Sequence, residues 1–252
     1  MKKILTRLTL VLVVLSSAAT KTTAGFREIG GYVDKAEDRF VRNVWNFIKN
    51  FQTNQNIGSN TWKYSQYYWD KPYFFSGPSH AYYADAMDFV YASGHGNSYY
   101  LQTNKSISEG IDFTTASPLG DLANGGDLEF LVIESCITVV PYPDDHNYRN
   151  VWNTIFKGLH QLVGFRTLSV SDNGIPNNYA GKLKGNQGIW QAWFAAVNEE
   201  RYWAFNPTLD DGAPYPGFAS AVVYTSTEND RLGSYVAADP SGTAGMHSWW
   251  QY

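Results

Sequence analysis

The sequence predicts an α/β fold, a three-layer αβα sandwich around a mainly parallel sheet. Three observations carry that expectation. The stretch Leu128-Glu-Phe-Leu-Val-Ile-Glu-Ser-Cys136 has apolar residues at five of its first six positions. It is too short for a typical helix and reads as a strand buried on both faces. From Asp38 the apolar residues Phe40, Val41, Val44, Trp45, Ile48 and Phe51 recur at three- and four-residue steps, the stripe of a helix that packs on a sheet. Strand-like and helix-like segments then alternate along the chain, which favours parallel pairing with helices on both sides.

In chain order, Phe26–Val33 is the first expected strand and leads into the helix from Asp38. Residues 56–83 crowd ten aromatic side chains, from Trp62 to Tyr83, among Gly, Pro, Ser and Asn. Such a run either lines a groove or covers an edge of the core, where aromatics dominate buried area. Ala86–Gly96 has an apolar centre and stops at glycines, and Ser98–Thr103 reads as a short return strand. Residues 104–127 look loop-like, and Val139–His146 is turn-rich. Helical spacing returns over Tyr148–Gly158, with Gly158 as the expected C-cap. Leu159–Phe165 is the next strand, Gly185–Arg201 a further helix and Phe218–Thr225 a late strand.

A chain of 252 residues with 44% hydrophobic content can bury one large core. One domain over residues 25–252 is therefore expected. The first 24 residues have the layout of a secretory signal peptide: Lys2, Lys3 and Arg7, the apolar run Leu8–Leu15, then small and polar residues to Ala24. A run of eight residues cannot span a bilayer as a helix. The expectation is a secreted or periplasmic protein with no membrane anchor. Removal of Lys2, Lys3, Arg7 and Lys21 leaves 15 basic against 23 acidic residues, a formal charge of −8, which argues against a nucleic-acid partner. Cys136 is the only cysteine, so no internal disulfide forms and the free thiol is explained either by reactivity or by burial.

Cys136 ends one strand, and Ser93-Gly-His95-Gly96 ends another, 41 residues earlier. In a parallel sheet both carboxyl ends lie on the edge where ligands bind. A thiol with an ordinary pKa near ~8.5 needs a base to become a nucleophile, and His95 can take its proton and later pass one to a leaving amine. The glycines flanking His95 let backbone approach a substrate closely, so the amides of Gly96 and Cys136 are candidate donors to an oxyanion. That chemistry is acyl transfer through a thioester.

The pair of motifs resembles the caspase-like cysteine peptidases, the group of caspases, metacaspases, legumains, gingipains and separases. Tyr91-Ala-Ser-Gly-His-Gly96 is similar to the metacaspase and legumain histidine motif, and Glu134-Ser-Cys136 to the legumain Glu-Ala-Cys. The resemblance implies a caspase-like fold and hydrolysis of a peptide or protein substrate. It makes Cys136 the nucleophile, His95 the acid/base, and Gly96 and Cys136 the oxyanion hole. It also places Glu134 in the pocket for the residue before the scissile bond, where a carboxylate favours Arg, Lys or Asn. The chain departs from the group after the nucleophile, where Ile137-Thr-Val-Val replaces a usual nearby glycine.

The chemistry calls for no cofactor and no metal. Asp144 and Asp145 offer a weak calcium site, two adjacent carboxylates being a sparse donor set. His160 reads as a core residue, and His80, His146 and His247 lack zinc-ligand spacing. The competing function is a non-catalytic secreted binding protein, either a pseudo-peptidase or a carbohydrate binder using the Trp62–Tyr83 stretch and the Trp249-Trp250 tail.

Overall fold

A computed structural model describes residues 26–103, 106–120, 126–169, 174–203, 217–236 and 238–252. The expected signal peptide lies outside the described residues. Among them, no helix is long and apolar enough to cross a membrane.

The protein is α/β, with a large mixed sheet of eight strands. Its elements are β1 (Phe26–Val33), α1 (Asp38–Ile48), β2 (Gln55–Ile57), β3 (Asn60–Trp69), α2 (Pro72–Phe75), β4 (Phe89–Ser93), β5 (Gly96–Asn97), β6 (Tyr100–Thr103) and β7 (Ser106–Asp112). They continue with β8 (Phe130–Glu134), α3 (Tyr148–Trp152), β9 (Gln161–Phe165), α4 (Ile175–Lys184), α5 (Ile189–Trp203), β10 (Ala219–Tyr224) and β11 (Met246–Trp250). The sheet order is β11-β10-β9-β8-β4-β1-β3-β2, and β5-β6-β7 form a separate antiparallel sheet.

The five strands from β3 to β9 are mutually parallel. The sheet is nevertheless not purely parallel. β2 joins β3 antiparallel, and β10 and β11 close the other side antiparallel, so the late strand expected to continue the parallel set reverses instead.

Both faces of the central strands are buried, and strand alternation sorts their side chains. Phe89, Tyr91, Phe130 and Val132 face one cluster, with Phe40, Val44 and Phe47 of α1, Tyr179 and Leu183 of α4, and Trp193 of α5. Val90, Ala92, Leu131 and Ile133 face the other. That second face is covered differently from expectation. Phe74 and Phe75 of α2, Trp152 of α3, Leu101 of β6 and aromatic residues of the connections fill it, rather than long helices. α1 owes its position to its stripe, in which each fully buried large apolar side chain contributes about 1.5–3 kcal/mol. Gly31 lets it close on β1, since a Cβ there would stand 2.7 Å from Val44 Cγ1.

Three segments differ from the sequence reading. β3 runs through the aromatic stretch, where Lys63, Ser65 and Gln66 interrupt the apolar pattern. β7 occupies part of the expected loop. The helix from Tyr148 ends at Trp152, and Gly158, at φ +113°, turns the chain toward β9 instead of capping a helix.

Candidate active site

The order of strands reverses around β1: the chain passes from β1 to β3 on one side, then to β4 on the other. The crevice beyond the carboxyl ends of β1 and β4 is therefore the expected ligand site of an open α/β sheet. β4 and β8 pair in parallel with Ser93 opposite Glu134, so His95 and Cys136 each stand two residues past a matched pair. Both line one cleft of about 180 Å³, together with Arg39, Phe40, Gly94, Glu134, Ser135 and Ser169.

Cys136 is partly exposed. Its Sγ donates to the Ser169 carbonyl at 3.1 Å and accepts from the Ser169 amide at 3.3 Å. Among the described residues no hydrogen bond joins it to His95. The loop after it is fastened to the continuation of β9 by Ile137 N to Thr167 O at 3.0 Å and Val139 N to Phe165 O at 3.2 Å. Ile137 itself has φ +58°, the left-handed conformation that suits glycine. The glycine-like geometry is thus present at the position where the sequence has isoleucine.

His95 is 43% exposed along its side chain, with Nε2 2.7 Å from Glu37 Oε1. A carboxylate only accepts, so Nε2 carries a hydrogen, and in the neutral imidazole Nδ1 then keeps the lone pair. Phe40 meets the imidazole edge-on, with centroids 4.9 Å apart. Glu37 also pairs with Arg39. Partial burial pushes the Glu37 carboxyl up, but hydrogen bonds and charge from Arg39 and His95 overcome this and hold it below its ordinary range.

Sequence reasoning missed Glu37. It occupies the N-cap of α1, where Ser, Thr, Asp or Asn is preferred, and its side chain makes no cap bond. That mismatch between residue and position is the signal that could have found it.

Gly96 packs directly against the loop that carries Cys136. A Cβ on it would stand 1.9 Å from Ser135 Oγ and 2.3 Å from Thr138 Oγ1. Thr138 Oγ1 in turn donates within reach of the Tyr100 carbonyl at 3.0 Å and the Cys136 carbonyl at 3.1 Å, tying the β5–β6 hairpin to the loop.

Glu134 lies at the floor of the cleft and is 1% exposed. Its carboxylate accepts from Asn43 Nδ2 at 2.6 Å and from the Tyr91 hydroxyl at 3.0 Å. Burial first, then the charge of Glu134, pushes the Tyr91 hydroxyl well above its ordinary pKa, so it stays a neutral donor.

The other candidates sit elsewhere. Asp144 binds Arg166, and Asp145 accepts from the Tyr99 hydroxyl and the Asn147 amide, so the two carboxylates serve separate partners. His160 is buried against Asp230 at 2.7 Å. Asp88, Asp127 and Glu129 gather at the opposite edge of the sheet, where Arg27 pairs with Asp88 at 2.7 Å. The aromatic stretch divides. Trp62, Phe74 and Phe75 are core, whereas Tyr68, Trp69, Tyr73 and Tyr82 are exposed. Trp249 stacks on Trp190 of α5, with rings 5.1 Å apart.

No curated protein matches the chain. The family described as a domain of unknown function, DUF6345, matches residues 19–252, and the chain belongs to that family.

Proposed function

We propose that this protein is a secreted or periplasmic cysteine peptidase of the caspase-like kind, with a three-layer sandwich as its architecture and His95 and Cys136 as its reacting pair. The observation that carries the reading is the single cleft shared by Cys136 and by an imidazole whose Nε2 is held by Glu37. An oriented base with a free Nδ1 beside a partly exposed thiol is the arrangement a thiol nucleophile requires.

In the proposed reaction His95 Nδ1 takes the Cys136 proton as Sγ attacks the carbonyl carbon of the scissile amide. Hydrogen bonds from the Gly96 and Cys136 amides stabilise the oxyanion. The C–N bond breaks and His95 returns the proton to the departing amine, leaving a thioester. Water then attacks the thioester, its proton passes through His95, and the C–S bond breaks to restore the thiol. Apo enzymes commonly hold such pairs apart until substrate closes the geometry, which accommodates the thiol resting on Ser169.

For the residue before the scissile bond, the reading favours Arg, Lys or Asn. Glu134 is 1% exposed and accepts from the uncharged Asn43 and Tyr91. The floor charge is therefore felt through a low-dielectric wall rather than by an exposed oxygen.

The test is alkylation of the purified protein by iodoacetamide from about pH 5 to 9, with wild type beside His95→Ala, because the ordinary thiol reacts slowly below about 8.5. Rapid modification of Cys136 near neutral pH, slowed in His95→Ala, is expected, together with peptide hydrolysis that Cys136→Ala abolishes. Labelling that requires denaturant, or hydrolysis that survives Cys136→Ala, ends the proposal.

A further inference from the structure

Among the described residues, His95 alone lines both the Cys136 cleft and a second, larger pocket. That pocket, of about 760 Å³, is bounded by Ala36 and Glu37 after β1 and by Gly96, Asn97, Ser98 and Tyr100 of the hairpin. Its size is that of a site for a small molecule or a few residues of peptide. His95 is thus a ridge, with the nucleophile on one side and the pocket on the other.

The backbone along this pocket is open. Among the described residues, β5 is an edge strand paired only with β6. Gln102 N donates to the His95 carbonyl at 2.8 Å, which makes His95 and Gln102 a hydrogen-bonded pair. By antiparallel alternation the next pair, Gly96 with Leu101, is not hydrogen-bonded. Both the amide and the carbonyl of Gly96 therefore turn away from β6, and neither meets a backbone partner among the described residues.

The walls are built rather than loose. Asp34, fully buried beneath the pocket, accepts from the Ala36 amide at 2.9 Å and from Gln102 Nε2 at 3.1 Å. Tyr99, at φ +57°, donates its amide to the Thr138 carbonyl at 3.2 Å, so the hairpin moves with the loop that carries Cys136. Left-handed non-glycine residues on both sides of that contact, Tyr99 and Ile137, are strain of the kind that collects at functional sites.

We infer that this pocket is the leaving-group subsite, which receives the polypeptide on the amine side of the scissile bond as a short strand beside β5. The inference rests on the peptidase reading and deepens it. One amide of Gly96 serves the oxyanion while its carbonyl accepts an N–H of the departing segment, the pattern of strand addition to a sheet edge. The substrate is then an internal bond of a polypeptide, with at least two residues beyond the cut, rather than a terminal amide.

The test uses one peptide library, randomised before the scissile bond, in two forms: closed by aminomethylcoumarin or continued by three further residues. The expected result is a kcat/KM about tenfold or more higher for the continued form, with that ratio falling towards one in Ser98→Trp, whose ring fills the pocket. Equal cleavage of the two forms, or an unchanged ratio in Ser98→Trp, overturns the inference while leaving the peptidase reading intact. Hydrolysis of neither form, in protein whose Cys136 also resists iodoacetamide, overturns both.

Discussion

Glu37 reaches from the N-cap of α1 to His95, Oε1 to Nε2 2.7 Å apart, and makes no capping bond to the helix backbone. The neutral imidazole is thereby fixed in one tautomer before any substrate arrives. Removing the charge while keeping the shape isolates that effect. Glu37→Gln is expected to lower kcat/KM for peptide hydrolysis by about tenfold or more with little change in KM, because orientation is realised mainly in the transition state. Slower alkylation of Cys136 should accompany it. A change confined to KM would mean that Glu37 binds substrate rather than positions His95.

The same pair makes a pH prediction. Burial raises the Glu37 carboxyl but Arg39 and His95 more than offset it, so its folded pKa lies below the unfolded one. A group depressed in this way contributes above the unfolded value and loses its contribution as pH falls through the folded value. The Glu37 contact should hold at neutral pH and fail only below the ordinary carboxylate range. The pH profile of hydrolysis in Glu37→Gln, compared with wild type, checks this: the deficit of the variant should hold across neutral pH and shrink only in acid, where wild-type Glu37 loses its charge. A deficit that vanishes already near neutrality contradicts the assignment.

Gly96→Ala probes the approach of the hairpin to the nucleophile loop. The added methyl would meet Ser135 Oγ, Thr138 Oγ1 and the Tyr100 carbonyl at 1.9, 2.3 and 2.7 Å. Side-chain ends can rotate, but a carbonyl held by Thr138 cannot yield without moving the strand. The expected cost is about 1–3 kcal/mol of stability. Hydrolysis should fall by a larger factor than thiol alkylation, because the Gly96 amide is displaced while Cys136 stays. Wild-type activity in this variant would remove Gly96 from the oxyanion site.

The parts of this site that were legible share one property: they follow from strand ends. The all-buried strands β4 and β8 are apolar runs with no other reading, and their matched register fixes His95 and Cys136 on one edge. β3 was hidden because β2 pairs only with its first three residues on the side away from β1 and its faces are partly exposed, so Lys63, Ser65 and Gln66 break the alternation. α4 went unread although Ile175, Tyr179 and Leu183 keep four-residue spacing, since its remaining residues are polar or small. Glu37 and Arg39 could not be joined to His95 from sequence, where the only trace is a glutamate at an N-cap. Their role depends on how α1 swings over the strand ends, a tertiary distance that no local pattern encodes.

Tyr91→Phe separates the structural part of Glu134 from any part in specificity. The substitution preserves the ring, which stacks on Phe47 with centroids 4.5 Å apart, and removes only the hydroxyl that donates to the buried carboxylate. A buried acceptor losing a partner costs about 1–3 kcal/mol. For a protein of this size that corresponds to a fall in Tm of roughly 2–4 °C per kcal/mol. Thermal unfolding should register the loss, while the preference of the cleft for Arg, Lys or Asn is expected to persist because Asn43 still holds Glu134. An unchanged Tm would show that water or another donor replaces the phenol.

Ile137 offers a test of backbone strain that is independent of catalysis. At φ +58° a β-branched residue bears a cost of about 1–2 kcal/mol that glycine does not. In ordinary extended or helical positions glycine is the weaker choice than alanine by about 0.5–1 kcal/mol, since it loses more freedom on folding. Here the order should invert. Ile137→Ala removes side-chain contacts and keeps the strain, whereas Ile137→Gly removes the same contacts and relieves it. The glycine variant is expected to be the more stable of the two by about 1 kcal/mol in chemical denaturation. If alanine proves equal or better, the left-handed turn after Cys136 does not survive in solution, and the loop must take another course past the thiol.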